Sequence, residues 1–162
     1  MNRSRMLAAT AAATVGLAGL AAAGASGASA APARNVAFSD AVAGTVTVTG
    51  PTGFTLAGAG ISTPLGAVRD SGTVVVTSAA GASTLTDVLT ETLTTSSGDS
   101  ITLRCDQTAT PVGSTGVLHG VDRWTVVRGT GRYAKASGSG TGDTYVYNLK
   151  AFTKTATGTI SF

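Results

Sequence analysis

The segment from Trp124 to Gly140, WTVVRGTGRYAKASGSG, constrains the fold of this chain more than any other part of the sequence. Trp124, Val126 and Arg128 alternate with Thr and Val, which is the period-2 pattern of a pleated strand. Glycines then recur at short intervals, first where a turn is needed and afterwards along a second strand. The segment therefore predicts two consecutive β-strands joined by a tight turn, with Trp124, Val126 and Arg128 on one face.

The glycines of this segment predict how the two strands are joined. Gly129 and Gly131 bracket one threonine, so the backbone can adopt positive φ where a Cβ would clash. The sequence GTGRYA over 129–134 also fits a dinucleotide fingerprint, but the residues after it cannot begin the helix that such a site needs. We interpret it as a turn. The next strand has glycine at three alternate positions, which predicts one bare face for close approach: Gly138, Gly140 and Gly142.

This turn resembles that of the allene oxide cyclase barrel-like proteins, a group that includes the dirigent proteins and small secreted actinobacterial proteins. In that group a Gly-Thr-Gly-(Arg/Lys)-(Phe/Tyr) turn and an Ala-x-Gly step link two late barrel strands. The resemblance implies an antiparallel β-barrel. It implies no activity, because the pocket residues on which dirigent proteins and allene oxide cyclases depend are not matched here. The matching residues are Gly129, Thr130, Gly131, Arg132, Tyr133, Ala136 and Gly138.

From Val36 onward the sequence alternates between short strand patterns and small-residue turns, with about eight strands in total. The segment 84–95 also fits a helix face, but its threonines and the Ser-Gly-Asp turn at 97–99 favour a hairpin. Eight antiparallel strands can close around a filled or a small-ligand interior, and closure removes exposed sheet edges. We predict an all-β fold, a single antiparallel β-barrel of about eight strands.

The N-terminus has the features of a secretory signal peptide. Two arginines precede an alanine-rich apolar run over 6–23, and small residues at 28–30 precede Ala31. A membrane anchor is the alternative, but glycines interrupt the run and a cleavage site ends it. We predict a signal peptide over 1–30 and one barrel domain over 31–162, with no membrane span after processing and an extracellular or cell-wall location.

We expect the secreted protein to begin at Ala31 or within a residue or two of it, because the small residues at 28–30 match the cleavage rule. The intact mass of protein recovered from culture medium checks this expectation. A full-length chain retained in the membrane would contradict it.

Charge and cysteine content exclude several classes of function. Without Arg3 and Arg5 the 11 basic residues become 9 against 8 acidic residues, and no basic cluster remains for nucleic acid or an anionic membrane. Cys105 is the one cysteine, so it cannot form an internal disulfide. It is read first as a small buried side chain; an intermolecular disulfide and a nucleophile paired with His119 are the alternatives. We predict no metal, no cofactor and no catalytic residues.

Candidate ligand-binding residues follow from the alternation along 84–95. If its leucines point inward, Asp87 and Glu91 do so too, about 13 Å apart, which is too far for a paired-carboxylate mechanism. A buried carboxylate here would form a structural ion pair with Arg104, Arg123 or Arg128, or be a polar group in a cavity. Two tyrosines share a face at a barrel mouth or in cross-strand packing. We expect a mostly filled interior with at most a small cavity at one end. The candidates are Asp87, Glu91, Trp124, Arg128, Tyr145 and Tyr147.

Three function classes are compatible with these patterns. The first, which we favour, is a secreted non-catalytic barrel that binds a small ligand or associates in the cell envelope or medium, including as a homo-oligomer. The second is a dirigent-like or cyclase-like barrel that confines a small hydrophobic substrate. The third is a surface adhesion or coat protein, for which an exposed apolar patch would be expected.

Overall fold

The computed structural model describes residues 34–162, so the predicted signal peptide lies outside the described residues. Each strand pairs antiparallel with the next along the chain, and the last pairs with the first, so the sheet closes. The predicted eight-stranded antiparallel barrel is confirmed. Its strands are β1 Asn35–Val48, β2 Gly53–Thr63, β3 Gly66–Val76, β4 Leu85–Thr95, β5 Ser100–Pro111, β6 Val117–Gly129, β7 Ser137–Tyr147 and β8 Ala151–Ser161.

Side chains alternate between the interior and the outer surface along every strand, because successive residues of a pleated strand point to opposite faces. The ambiguous segment 84–95 forms β4, and its leucines point inward together with Asp87 and Glu91. The turn at 97–99 connects it to β5. The hairpin prediction is therefore correct, and the period-2 pattern outweighs the helical one.

The two ends of the barrel differ. At the end that holds both chain termini of the described part, Tyr133 is buried and packs edge-to-face on Phe162, with ring centroids 4.9 Å apart. Leu65, Leu93 and Ile160 are buried in the same region, so this end is closed by side chains. The opposite end carries the β1–β2, β3–β4, β5–β6 and β7–β8 connections.

The middle of the barrel is organised around Trp124, whose indole packs edge-to-face on Phe38 with centroids 4.8 Å apart. The glycines of β7 and β8 make room for it. A Cβ at Gly140 or at Gly158 would lie 2.5 Å from Trp124 Cζ2, closer than real Cβ contacts allow. Gly140 and Gly158 thus make room for one large side chain, which explains why an interior with so few aromatics is still packed.

The turn after β6 contains a three-residue 3-10 helix, Gly131–Tyr133. Gly131 has φ of 56°, in the left-handed region that favours glycine, and a Cβ there would overlap the Asp99 carboxylate. Gly129 is required for a different reason, because a Cβ at this position would overlap the carbonyl oxygen of Tyr133. Within residues 34–162, no helix is long and apolar enough to cross a membrane.

A β-bulge corrects the predicted orientation of Arg128. Leu103 pairs with Val126 and Thr102 pairs with Arg128, so Val127 is an extra residue on β6. Trp124 and Val126 point inward as predicted, but the register shift places Arg128 on the exposed outer surface. The prediction that Arg128 shares their face was wrong for this reason.

Candidate ligand-binding site

A cavity of about 280 Å³ opens at the end of the barrel that carries the β1–β2, β3–β4 and β7–β8 connections. The residues 78–81 of the β3–β4 connection border its mouth. Its wall is mainly hydrocarbon and comes from seven strands, β1 to β7, and three connections, so the cavity lies inside the barrel. Representative wall residues are Phe54, Val74, Leu85, Leu118, Val146 and Leu149.

Three polar side chains of the strands interrupt this apolar lining, Asp87, Gln107 and Thr144, and two more, Thr52 and Ser78, come from the connections. Asp87 is 7% exposed and Thr144 is 4% exposed. Asp87 Oδ1, Gln107 Nε2 and Thr144 Oγ1 have no hydrogen-bond partner among residues 34–162. Buried polar atoms are nearly always paired, so three unpaired ones around one cavity indicate a place where a ligand supplies the partners.

The strand register places these groups beside a second carboxyl. Gln107 pairs with Asp87 across β4–β5 and with Asp122 across β5–β6. The three side chains therefore lie in one row inside the barrel, with the amide between the two carboxyls. Gly120 and Gly142 allow this row to form. A Cβ at Gly120 would overlap the Gln107 amide, and one at Gly142 would lie 2.6 Å from Asp122 Oδ2.

Deeper in the barrel, Glu91 and Lys154 form an ion pair whose two side chains are both fully buried. Cys105 Sγ lies 3.9 Å from the same carboxylate oxygen of Glu91, Oε2. Asp40 and Asp70 are buried in the same interior; among residues 34–162 neither carboxyl pairs with another side chain, and Asp40 lies close to the backbone N–H of Ala156. A buried ion pair is therefore surrounded by carboxyl groups that it does not neutralise.

Burial controls the protonation of these groups, because a low-dielectric interior disfavours the charged form of a carboxyl. Burial, and then the nearby Asp122, raise the pKa of Asp87 to about 7. Burial, and then Glu91, raise the pKa of Asp70 to about 7 against the opposing effect of Lys154. Burial likewise raises the pKa of Asp40 and of Asp122 to about 6, again opposed by Lys154. All four titrate near neutrality.

Burial affects the pKa of Lys154 in the opposite direction from that of the carboxyls. Burial by itself lowers the pKa of the Lys154 ammonium, but Glu91, Cys105 and Asp40 together raise it above its usual value. Lys154 is thus held as a cation in the centre of the barrel. Among residues 34–162, no group of three or more His, Cys, Asp or Glu side chains is arranged to hold a metal ion.

The six candidate residues predicted from the sequence do not form one site. Asp87 borders the cavity, whereas Glu91 and Trp124 lie in the packed middle of the barrel. Tyr145 and Tyr147 lie on the outer surface with Arg128, because Thr144 and Val146 occupy the inward positions of β7. Neither tyrosine borders the cavity, and Tyr145 instead packs across the strands on His119, which was the alternative reading of their shared face.

Cys105 and His119 lie on opposite sides of the barrel wall. Cys105 is fully buried, and burial raises the pKa of its thiol above the usual range. His119 is on the outside, where it stacks on Tyr145 at 4.5 Å and lies 3.0 Å from Asp143 Oδ1. The alternative of a cysteine–histidine nucleophile is therefore wrong, and the burial of Cys105 leaves no free thiol surface for an intermolecular disulfide.

Sequence reasoning missed four charged groups of the interior. The alternation of these strands indicates their inward position, because each charged residue has an apolar residue two positions before it, two positions after it, or both. Alternation applied to β1, β3, β6 and β8, as it was to β4, would have found them. They are Asp40, Asp70, Asp122 and Lys154.

Comparison with known proteins adds little beyond the architecture. No protein-family model matches the chain, and no curated protein sequence matches it. Among solved structures, the chain is similar to the pterocarpan synthase dirigent protein GePTS1, with 12% sequence identity and a TM-score of 0.46. The similarity covers 80% of this chain and 92% of that one. At this identity and TM-score, it carries no information about the ligand or activity of this chain.

Proposed function

We propose that this chain is an exported β-barrel that binds a small, mainly apolar organic ligand in the cavity at its open end. One observation carries the proposal: a cavity with a hydrocarbon wall meets three unpaired polar atoms, on Asp87, Gln107 and Thr144. Ligand sites of proteins combine a largely apolar lining with a few polar groups that fix orientation.

The size of the cavity limits the ligand. An engineered apolar cavity of about 150 Å³ holds benzene, and this one has about 280 Å³. A compound of one or two rings therefore fits, whereas a long lipid chain or a peptide does not. The mouth at residues 78–81 is formed by small residues, Ser-Ala-Ala-Gly, which leave the entrance unobstructed by bulky side chains.

Binding of 2-naphthalenemethanol, a neutral two-ring probe, tests the proposal. We expect the probe to raise the melting temperature of residues 31–162 with increasing concentration, because it binds only the folded barrel. Ala109→Phe places a ring inside the cavity and should abolish the shift. Thr108→Phe adds the same ring on the exposed outer face of the same strand and should retain it.

Absence of a shift in the unmodified protein with both this alcohol and the amine of the same shape, 2-naphthylmethylamine, or a shift that persists in Ala109→Phe but not in Thr108→Phe, would contradict the proposal. Circular dichroism of both variants shows whether each retains its β-structure.

A second candidate function is confinement of a substrate for reaction, in the manner of a dirigent-like or cyclase-like barrel. It is favoured by one observation, that a carboxyl with a pKa of about 7 borders the apolar cavity. A group that titrates near the working pH can both donate and accept a proton. Recovery of a bound compound chemically unchanged after long incubation supports binding alone, and conversion that is lost in Asp87→Asn supports confinement.

A further inference from the structure

The barrel interior contains far more acidic than basic groups. Of the 8 acidic residues of the chain, five are buried inside the barrel: Asp40, Asp70, Asp87, Glu91 and Asp122. Lys154 is the one buried basic residue among 34–162, and all other basic residues of that range are exposed. An excess of anionic groups inside a low-dielectric space is costly unless they are protonated or meet a cation.

The protein's own cation cannot serve the cavity. Lys154 is already bound to Glu91 in the packed middle of the barrel. Asp87 lies at the cavity instead, with Oδ1 unpaired and Gln107 between it and the equally unpaired Asp122. Neither aspartate has a salt-bridge partner among the described residues. The part of the interior that a ligand can reach thus lacks a positive charge.

We infer that the ligand of this cavity carries a cationic nitrogen on a hydrocarbon body, and that its ammonium group binds the Asp87 carboxylate at the cavity floor. This inference rests on the proposed function and names the chemical class of its ligand. The wall accommodates the hydrocarbon, and the unpaired Thr144 hydroxyl borders the same cavity as a further polar contact for the ligand. An organic cation is favoured over a metal ion, because the carboxyls of residues 34–162 form no metal-binding group.

The charged and titratable groups around Asp87 determine how this binding depends on pH. Asp122 of β6 is the charged neighbour that acts on it most directly. The other charged or titratable side chains near it come from five strands: Asp40 of β1, Asp70 of β3, Glu91 of β4 itself, Cys105 of β5 and Lys154 of β8. The inward residues of β2 and β7 include no titratable group.

Binding of an ammonium requires an ionised Asp87. Below the pKa of about 7 the carboxyl holds a proton, and the ammonium displaces that proton to solvent when it binds. The amine stays protonated and no bond to carbon forms or breaks. The affinity for the cation should therefore rise with pH and level off above about pH 7, with roughly a tenfold change per pH unit below it. A neutral ligand that accepts a hydrogen bond from protonated Asp87 would show the opposite trend.

Two probes of nearly identical shape test the inference: 2-naphthylmethylamine, which is a cation at pH 8, and 2-naphthalenemethanol, which is neutral. By titration calorimetry of residues 31–162, we expect the amine to bind at least about tenfold more tightly than the alcohol at pH 8. We expect its affinity to be about tenfold weaker at pH 6 than at pH 8, with the alcohol changing less than about threefold.

Asp87→Asn keeps the side-chain shape and removes the charge, so it should reduce the amine affinity to about that of the alcohol. Asp106→Asn removes the same charge from the exposed outer face of β5 and should leave the preference intact. If the alcohol binds and the amine binds no better, or if Asp87→Asn retains the preference, this inference is overturned while the proposed function stands. If neither probe binds, the proposed function is overturned. The pH profile of the unmodified protein needs no variant, so the inference remains testable even if Asp87→Asn does not fold.

Discussion

We expect Lys154→Met to lose about 3–5 kcal/mol of unfolding free energy at pH 7.5, the usual cost of removing one partner of a buried ion pair. The side chains of Lys154 and Glu91 are both fully buried, so no water can replace the lost ammonium. Glu91 would stay in the barrel beside Asp40 and Asp70, whose carboxyls Lys154 also stabilises. Chemical denaturation of residues 31–162 measures the effect.

Two control variants separate the ion pair from other consequences of the substitution. Lys150→Met removes the same charge from the exposed β7–β8 turn and should change stability by less than about 0.5 kcal/mol. Lys154→Met combined with Glu91→Met should recover most of the loss, because a hydrophobic pair of similar volume avoids the unpaired charge. If Lys154→Met alone is as stable as the unmodified protein, Lys154 does not stabilise the interior as the structure indicates.

The interior of the barrel thus has three successive parts. Side chains close one end around Tyr133, and Trp124 with the Lys154–Glu91 pair fills the middle. The third part, at the open end, is a cavity with Asp87 at its floor. The packed parts explain why the barrel needs no ligand to close, and the unpaired polar atoms at the third part explain why a ligand would be held there.

The barrel itself could be predicted from the sequence because alternation is a local property. In β4, six inward residues follow one another at two-residue intervals, so placing Leu89 inside the barrel also places Asp87 and Glu91 there. The pairing of β1 with β8 could not be seen in this way, since it joins opposite ends of the chain. Closure was inferred from the number of strands and is confirmed by the register from Asn35 to Ser161.

The site was harder to predict, for two physical reasons. One extra residue in β6 reverses the orientation of every residue after it, so Arg128 faces outward, and no local signal marks Val127 as the bulge. The juxtaposition of Asp87, Gln107 and Asp122 depends on the register of three strands, which periodicity alone does not determine. The inward charges in the other strands could have been found, because Asp40 alternates with Phe38 and Val42.

The acidic interior leads to an unusual dependence of stability on pH. The folded-state pKa of Asp70 is about 7 and that of Asp40 about 6, both above the ordinary aspartate value of 3.8 in an unfolded chain. Between these values the folded protein binds more protons than the unfolded one, so its stability falls as the pH rises. The loss begins near pH 4 and is complete above about pH 7. Asp87 and Asp122 act in the same direction, because burial raises the pKa of each carboxyl as well.

We therefore expect the melting temperature of residues 31–162 to be roughly 10 °C higher at pH 4.5 than at pH 7.5, for a stability difference on the order of 3 kcal/mol. Asp70→Asn and Asp40→Asn should each flatten this dependence, since the amide cannot ionise at any pH in the window. Asp143→Asn, on the outer surface beside His119, should leave the slope unchanged. A melting temperature that rises between pH 4.5 and 7.5 in the unmodified protein would mean that these carboxyls are ionised and paired, contrary to the interior described for Asp40 and Asp70.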